Sequence, residues 1–131
     1  MDPEISAVFM NAGHTISACS IELTIENKTL VFLGGVGREN DALMYPATTP
    51  KKADYVLLES SYGNRLHPTS DAKLELEMYI NNTVKNGESV IILCFAVERA
   101  QMLMYLLWQL REGNSISNIP YVIDSPMGVH I

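Results

Sequence analysis

Cysteine is nearly absent from this sequence. Only Cys19 and Cys94 occur in 131 residues, and they form no Cys-x-x-Cys pair. That excludes a disulfide framework and a thiolate zinc site built from local spacing, and it points to a reducing, cytoplasmic setting. Neither His-x-His nor His-Glu-x-x-His is present, and His67 and His130 add no metal spacing to His14. Long apolar runs are missing as well. The longest, 90–97 and 102–108, fall far short of the ~20 residues that cross a bilayer, so no membrane span is expected. Positive charge is scarce: 9 Lys and Arg stand against 15 Asp and Glu, a net charge of -6. Lys51–Lys52 is the only adjacent basic pair, whereas neutralising a phosphate backbone needs clustered cations, so the charge pattern gives no support to autonomous nucleic-acid binding. Acids in Met1-Asp2-Pro3-Glu4 occupy the place where a secretory signal carries Lys or Arg, which argues against export. No internal repeat is found.

What is present is globular. Hydrophobic residues make up 47% and charged residues 18%, with six Tyr, three Phe, one Trp and seven Met to fill an interior. The length supports one domain with a real core and not two complete ones. Ile5 to Met10 is β-prone and closes on the turn residues Asn11 and Gly13. From Cys19 to Ile25 the chain alternates, with Ile21, Leu23 and Ile25 on one face; Asn27–Lys28 separates this strand from Thr29–Leu33, which predicts an antiparallel hairpin. Gly34, Gly35 and Gly37 end the second strand, and 38–52 reads as loop. The apolar run Tyr55–Leu58 within 53–59 predicts a strand buried on both faces.

Beyond a second loop, Asp71 to Asn86 reads as a half-exposed helix marked by Leu74 and Met78, with Gly87 as its C-terminal cap. A buried strand over 89–94, a nearly enclosed helix over 97–112 followed by Gly113, and a third buried strand over 120–124 predict a right-handed parallel β-α-β unit. Ala100, Leu103, Met104, Leu107 and Leu110 are the expected core face of that helix. A parallel sheet wants helices on both faces, so the end at Ile131 reads as a fold interrupted.

Each chemical candidate has a plain structural alternative. Gly34-Gly-Val-Gly37 fits neither dinucleotide nor P-loop spacing and reads as a strand-ending turn. Cys94 precedes a helix N-terminus, yet Cys94 to Arg99 is one residue short of a phosphatase loop, and core packing is the better account. Ser60 and Ser61 lack a nucleophile-elbow context. Glu59 and Asp124 end apolar strands at the edge where α/β folds place their sites, and both are open to a catalytic or a merely solvated reading. His14, in the turn after a strand, is open to a ligating or a structural one.

Taken in order, Asn11-Ala-Gly-His-Thr-Ile-Ser-Ala-Cys-Ser-Ile-Glu-Leu23, Phe32-Leu-Gly-Gly-Val-Gly-Arg-Glu-Asn-Asp41, Glu59-Ser-Ser-Tyr-Gly-Asn-Arg-Leu-His-Pro68, Phe95-Ala-Val-Glu-Arg-Ala-Gln101 and Asp124-Ser-Pro-Met127 resemble the metallo-β-lactamase/β-CASP nucleases over nearly the whole chain. The resemblance implies zinc-dependent phosphodiester hydrolysis of RNA in an intact member. It places His14 at a zinc-ligand position and Glu59 at an acid that supports the histidines around the metal. It also places Gly35 where the family carries the aspartate that bridges two zincs, so that ligand is gone. The family's His-x-His-x-Asp-His cluster is absent, and its later histidines would lie beyond Ile131.

The expectation is therefore an α/β chain: residues 1–62 as the back half of a metallo-β-lactamase-like sheet, continuing into the first β-α-β of a β-CASP domain over 63–131. A catalytic zinc needs about three protein ligands and an open position. With one matched histidine, the chain is expected to bind no zinc alone and to be an inactive fragment or truncated relative of an RNA-processing nuclease. The alternative is a non-catalytic binding or self-assembly module, and under either reading uncovered strand edges favour a homodimer.

Overall fold

Strand alternation in the first third of the chain folds as a meander. The computed structural model describes residues 5–66 and 68–128, and the chain divides into two compact units, Met1–Leu66 and His67–Ile131. In the first, β1 (Ile5–Asn11), β2 (Cys19–Ile25), β3 (Lys28–Leu33) and β4 (Tyr55–Leu58) form one sheet in the order β1-β2-β3-β4. β1 and β2 are antiparallel from Ile5 opposite Ile25 to Asn11 opposite Cys19, and β2 and β3 from Ile21 opposite Phe32 to Ile25 opposite Lys28. The hairpin turn is Glu26–Asn27, one residue earlier than the sequence suggests. Glu26 takes φ 54° there, a positive value of the kind that primed hairpin turns require.

β4 pairs parallel with β3, Leu30 opposite Tyr55 through Leu33 opposite Leu58. Asp54 pins its entry. Its backbone N–H donates to the Thr29 carbonyl at 2.8 Å while its Oδ2 accepts from the Thr29 N–H at 2.8 Å, and Lys28 Nζ stands 3.6 Å from Oδ1. The Thr29 N–H, with the charges of Lys28 and Lys52, holds the Asp54 carboxyl below its ordinary value. Ala12, Gly13, Ser20 and Val31 are the buried residues among those described in this unit. β4 itself corrects the expectation of burial on both faces: all four of its residues are exposed, Leu58 by 67%. It sits at the sheet edge, and no described residue of the unit forms a layer over it.

In the second unit, α1 (Ala72–Lys85) starts where Asp71 Oδ1 accepts from the N–H groups of Lys73 at 2.8 Å and Leu74 at 3.3 Å, the bonding of an N-cap. It ends where Gly87, at φ 73°, lets its N–H reach the Val84 carbonyl and the Glu88 N–H reach the Thr83 carbonyl, the double bond of a Schellman motif. α2 (Arg99–Glu112) ends the same way, with Asn114 at φ 55° in the left-handed position and Ser115 N–H on the Leu110 carbonyl. Gly113 is right-handed, so it is the residue before the cap's turning point. The helix also begins two residues later than expected, because Glu98 at φ 67° breaks it.

The core here is small: Ile80, Leu110 and Ile116, flanked by Leu76, Val84, Leu107 and Ile119. Lys73 Nζ donates to Gln109 Oε1 and Asn81 Nδ2 to the Ser115 carbonyl, both at 2.9 Å, tying α1 to α2 and to the turn beyond it. The face of α1 that packs is therefore 76, 80 and 84, and Leu74 and Met78 are exposed. On α2 the expected enclosure is not found, since Met104 and Trp108 are half exposed and only Leu110 is fully covered.

The parallel β-α-β expected over 89–124 is likewise absent among the described residues, where 89–94 and 120–124 carry no strand. A strand is defined by the neighbour that takes its hydrogen bonds, and neither segment has one. Leu93 is 96% and Val122 87% exposed. No helix of the described residues is long and apolar enough to cross a membrane.

Candidate functional site

Strand direction brings three loops to one edge. β1 and β3 are each antiparallel to β2 and β4 is parallel to β3, so β1, β3 and β4 all point their C-terminal ends the same way. His14 lies three residues past β1, Gly35 two past β3 and Glu59 one past β4.

The loop that carries His14 is fastened at its base by Asn11. Its Oδ1 accepts from the Gly13 N–H at 3.0 Å, its Nδ2 donates to the Pro46 carbonyl at 3.0 Å, and its backbone carbonyl accepts from Thr48 N–H at 2.8 Å. Ala12 is buried, bonded through its carbonyl to the Gly37 N–H at 2.9 Å and through its N–H to the Ala18 carbonyl at 3.1 Å. The sequence signal for this clamp is Asn-x-Gly, which the turn reading used without foreseeing that the amide would also reach the carbonyls of Tyr45 and Pro46.

Glycines in these loops are not equivalent. Gly13 has φ 62°, and a Cβ there would stand 2.7 Å from the Tyr45 carbonyl oxygen and 2.8 Å from the Ala47 nitrogen, so backbone conformation and close approach both demand glycine. A Cβ on Gly37 would overlap the Gly13 carbonyl. Gly35 is different. The atoms nearest a Cβ there all belong to the His14 ring, with Cδ2 at 2.8 Å and Nε2 at 3.0 Å, and the φ of Gly35 is not left-handed. Position 35 thus faces the imidazole directly.

Glu59 is exposed at the same edge, and its Oε2 accepts from the Ser61 N–H at 3.0 Å. Ser61, through its hydroxyl and its backbone N–H, holds the Glu59 carboxyl below its ordinary value, and His14 acts electrostatically in the same direction. The structure therefore brings His14, Gly35 and Glu59 into one neighbourhood. Asp124 is exposed and belongs to the second unit. His67 and His130 lie outside the described residues. Cys94 is exposed, contrary to its core reading, because the segment carrying it is unpaired and lines an open depression with Leu93, Phe95 and Arg99.

Against the demands of a hydrolytic metal, this edge is short of donors. Zinc takes three or four N, S or O ligands, whereas the edge offers the His14 imidazole and a Glu59 carboxylate already engaged by Ser61. No group of three or more His, Cys, Asp or Glu side chains able to hold a metal gathers among the described residues. The residues present do not fit a metal pair.

No family model matches the chain. Against individual proteins, however, it is 38% identical over 125 residues to a ribonuclease of Thermus thermophilus, covering 94% of this chain. It is 29% identical over 123 residues to an RNase J-like protein of Methanocaldococcus jannaschii, covering 91%, and 33% identical over 99 residues to endoribonuclease ysh1 of Schizosaccharomyces pombe, covering 74%. By sequence, the chain belongs with the metallo-β-lactamase/β-CASP nucleases. It spans 28%, 29% and 13% of the length of these three relatives. The match to the Thermus protein covers 94% of this chain, so it extends over both units.

Proposed function

We propose that this chain is the central stretch of a zinc-dependent RNA-processing nuclease of that family. In this reading 1–62 is the end of its metallo-β-lactamase sheet and 63–131 the start of its β-CASP domain. One observation carries it: His14, Gly35 and Glu59, the three positions that family resemblance singles out, follow strands that end at one sheet edge, with residue 35 against the imidazole. His14 is a metal-facing histidine and Glu59 a supporting acid in this account. Gly35 stands where a bridging carboxylate is needed, so the edge is a broken half-site and the chain does not hydrolyse RNA by itself. The test incubates the purified chain with an end-labelled oligoribonucleotide, with and without a chelator. No chelator-sensitive cleavage is expected, and cleavage that a chelator abolishes overturns the proposal.

A second reading is favoured by a separate observation. Ile91, Leu93, Phe95 and Val122 are largely exposed on segments that carry no helix or strand, and such surface drives association. A non-catalytic module that pairs with a second copy would present itself as a dimer in sedimentation equilibrium. A monomer at tens of micromolar concentration counts against it.

A further inference from the structure

We infer that the glycine at position 35 closes the His14 site as well as leaving it a donor short: the imidazole lies in the volume that a side chain at 35 would occupy. Three observations combine. The ring atoms Cδ2, Nε2 and Cγ stand 2.8, 3.0 and 3.3 Å from where a Cβ would be. The backbone at 35 has no left-handed φ that would demand glycine, unlike that at 13. The three atoms nearest the missing side chain all belong to His14, and His14 is exposed, so its ring has room to turn outward when displaced.

Residue 35 is therefore a gate with two settings. Glycine lets the ring fold down onto the backbone of the strand-end loop, and a carboxylate would lift it and stand beside it as a second donor, with Glu59 across the same edge. The inference rests on reading His14 as metal-facing, and the experiment separates the two.

Co²⁺ is titrated into the native 131-residue chain, Gly35→Ala, Gly35→Asp, and Gly35→Asp combined with His14→Ala. Binding is followed by visible absorption and by paramagnetic broadening of the His14 ring protons. The native chain and Gly35→Ala are expected to show no His14-selective broadening at equimolar Co²⁺. Gly35→Asp should bind about tenfold more tightly or better, the scale set by single partners at metal sites, and the gain should vanish in the double variant. Should the native chain broaden as strongly as Gly35→Asp, the closing role of glycine is wrong while the metal-facing histidine stands. Should a folded Gly35→Asp gain nothing, both fail. If Gly35→Asp does not fold, Gly35→Ala decides: its His14 Cδ2–H resonance must move while the β-sheet amides hold, and an unmoved ring overturns the inference.

Discussion

The two units solve the same problem of order by different means. In the first, the strand-end loops are fixed by polar chemistry: Asn11 bonds to Gly13, Pro46 and Thr48, Ala12 to Gly37 and Ala18, and Asp54 to Thr29 in both directions. In the second, two capped helices close over Ile80, Leu110 and Ile116, and the extended segments around them keep their apolar side chains in the open. Directional bonds can hold a site edge whose sheet faces are half exposed. A small apolar core holds helices but gives no address to a strand, which needs a neighbour's backbone. The first unit accordingly carries the candidate positions His14, Gly35 and Glu59, and the second carries uncovered apolar surface.

The contrast is broken most forcefully in the second core. Leu110→Ala should destabilise the second unit by about 2–5 kcal/mol, read as a lowered midpoint of Trp108 fluorescence in urea. Amide protection in β2 and β3 should be unchanged. Gly13→Ala comes next. It forces a non-glycine residue to φ 62° against the Tyr45 carbonyl, and a cost of about 1–3 kcal/mol should appear as faster hydrogen exchange at Ala12, Gly37 and Thr48, with Trp108 unfolding unaltered. Asp71→Ala removes the N-cap of α1 and should lower the helical melt of the second unit by about 1 kcal/mol.

The smallest effect concerns acid. Because the Asp54 carboxyl titrates below its ordinary value in the folded chain, its contribution is present above the unfolded value of about 4 and is lost as pH falls through the lower folded one. Asp54 is an exposed residue, so screening by solvent keeps this modest. Protection of the Thr29 and Tyr55 amides, taken relative to the intrinsic exchange rate at each pH, should fall on acidification below about pH 4, and Asp54→Asn should abolish that dependence. An unchanged pH profile in the variant removes Asp54 as the pin of β4.

Much of the first unit is legible in residues alone. Alternation over Cys19–Ile25 gives β2 to the residue, because a two-residue period is strict and one slip reverses every side chain. The caps of α1 are readable in Asp71 and Gly87 for similar reasons of local chemistry. The helix faces are not. Leu74–Met78 and Leu76–Ile80–Val84 are both four-residue series on one helix, and only the position of Leu110 and Ile116 selects the second. Apolar runs at 89–94 and 120–124 state a preference for extended chain without naming a partner. At the site, His14, Gly35 and Glu59 are each visible as strand-end residues, while the contact between 14 and 35 comes only from the meander that turns β1, β3 and β4 the same way. The hold of Asn11 on residues 45–48 spans more than thirty positions and leaves no local trace beyond the turn.

The seating of the imidazole on residue 35 is the central claim, and a nuclear Overhauser measurement on the native chain reaches it directly. A strong cross-peak between the His14 Hδ2 proton and a Gly35 Hα proton is predicted, since the Cδ2 carbon lies 2.8 Å from the Cβ position that this Hα points toward. Resolved resonances for both protons with no cross-peak between them would contradict the account.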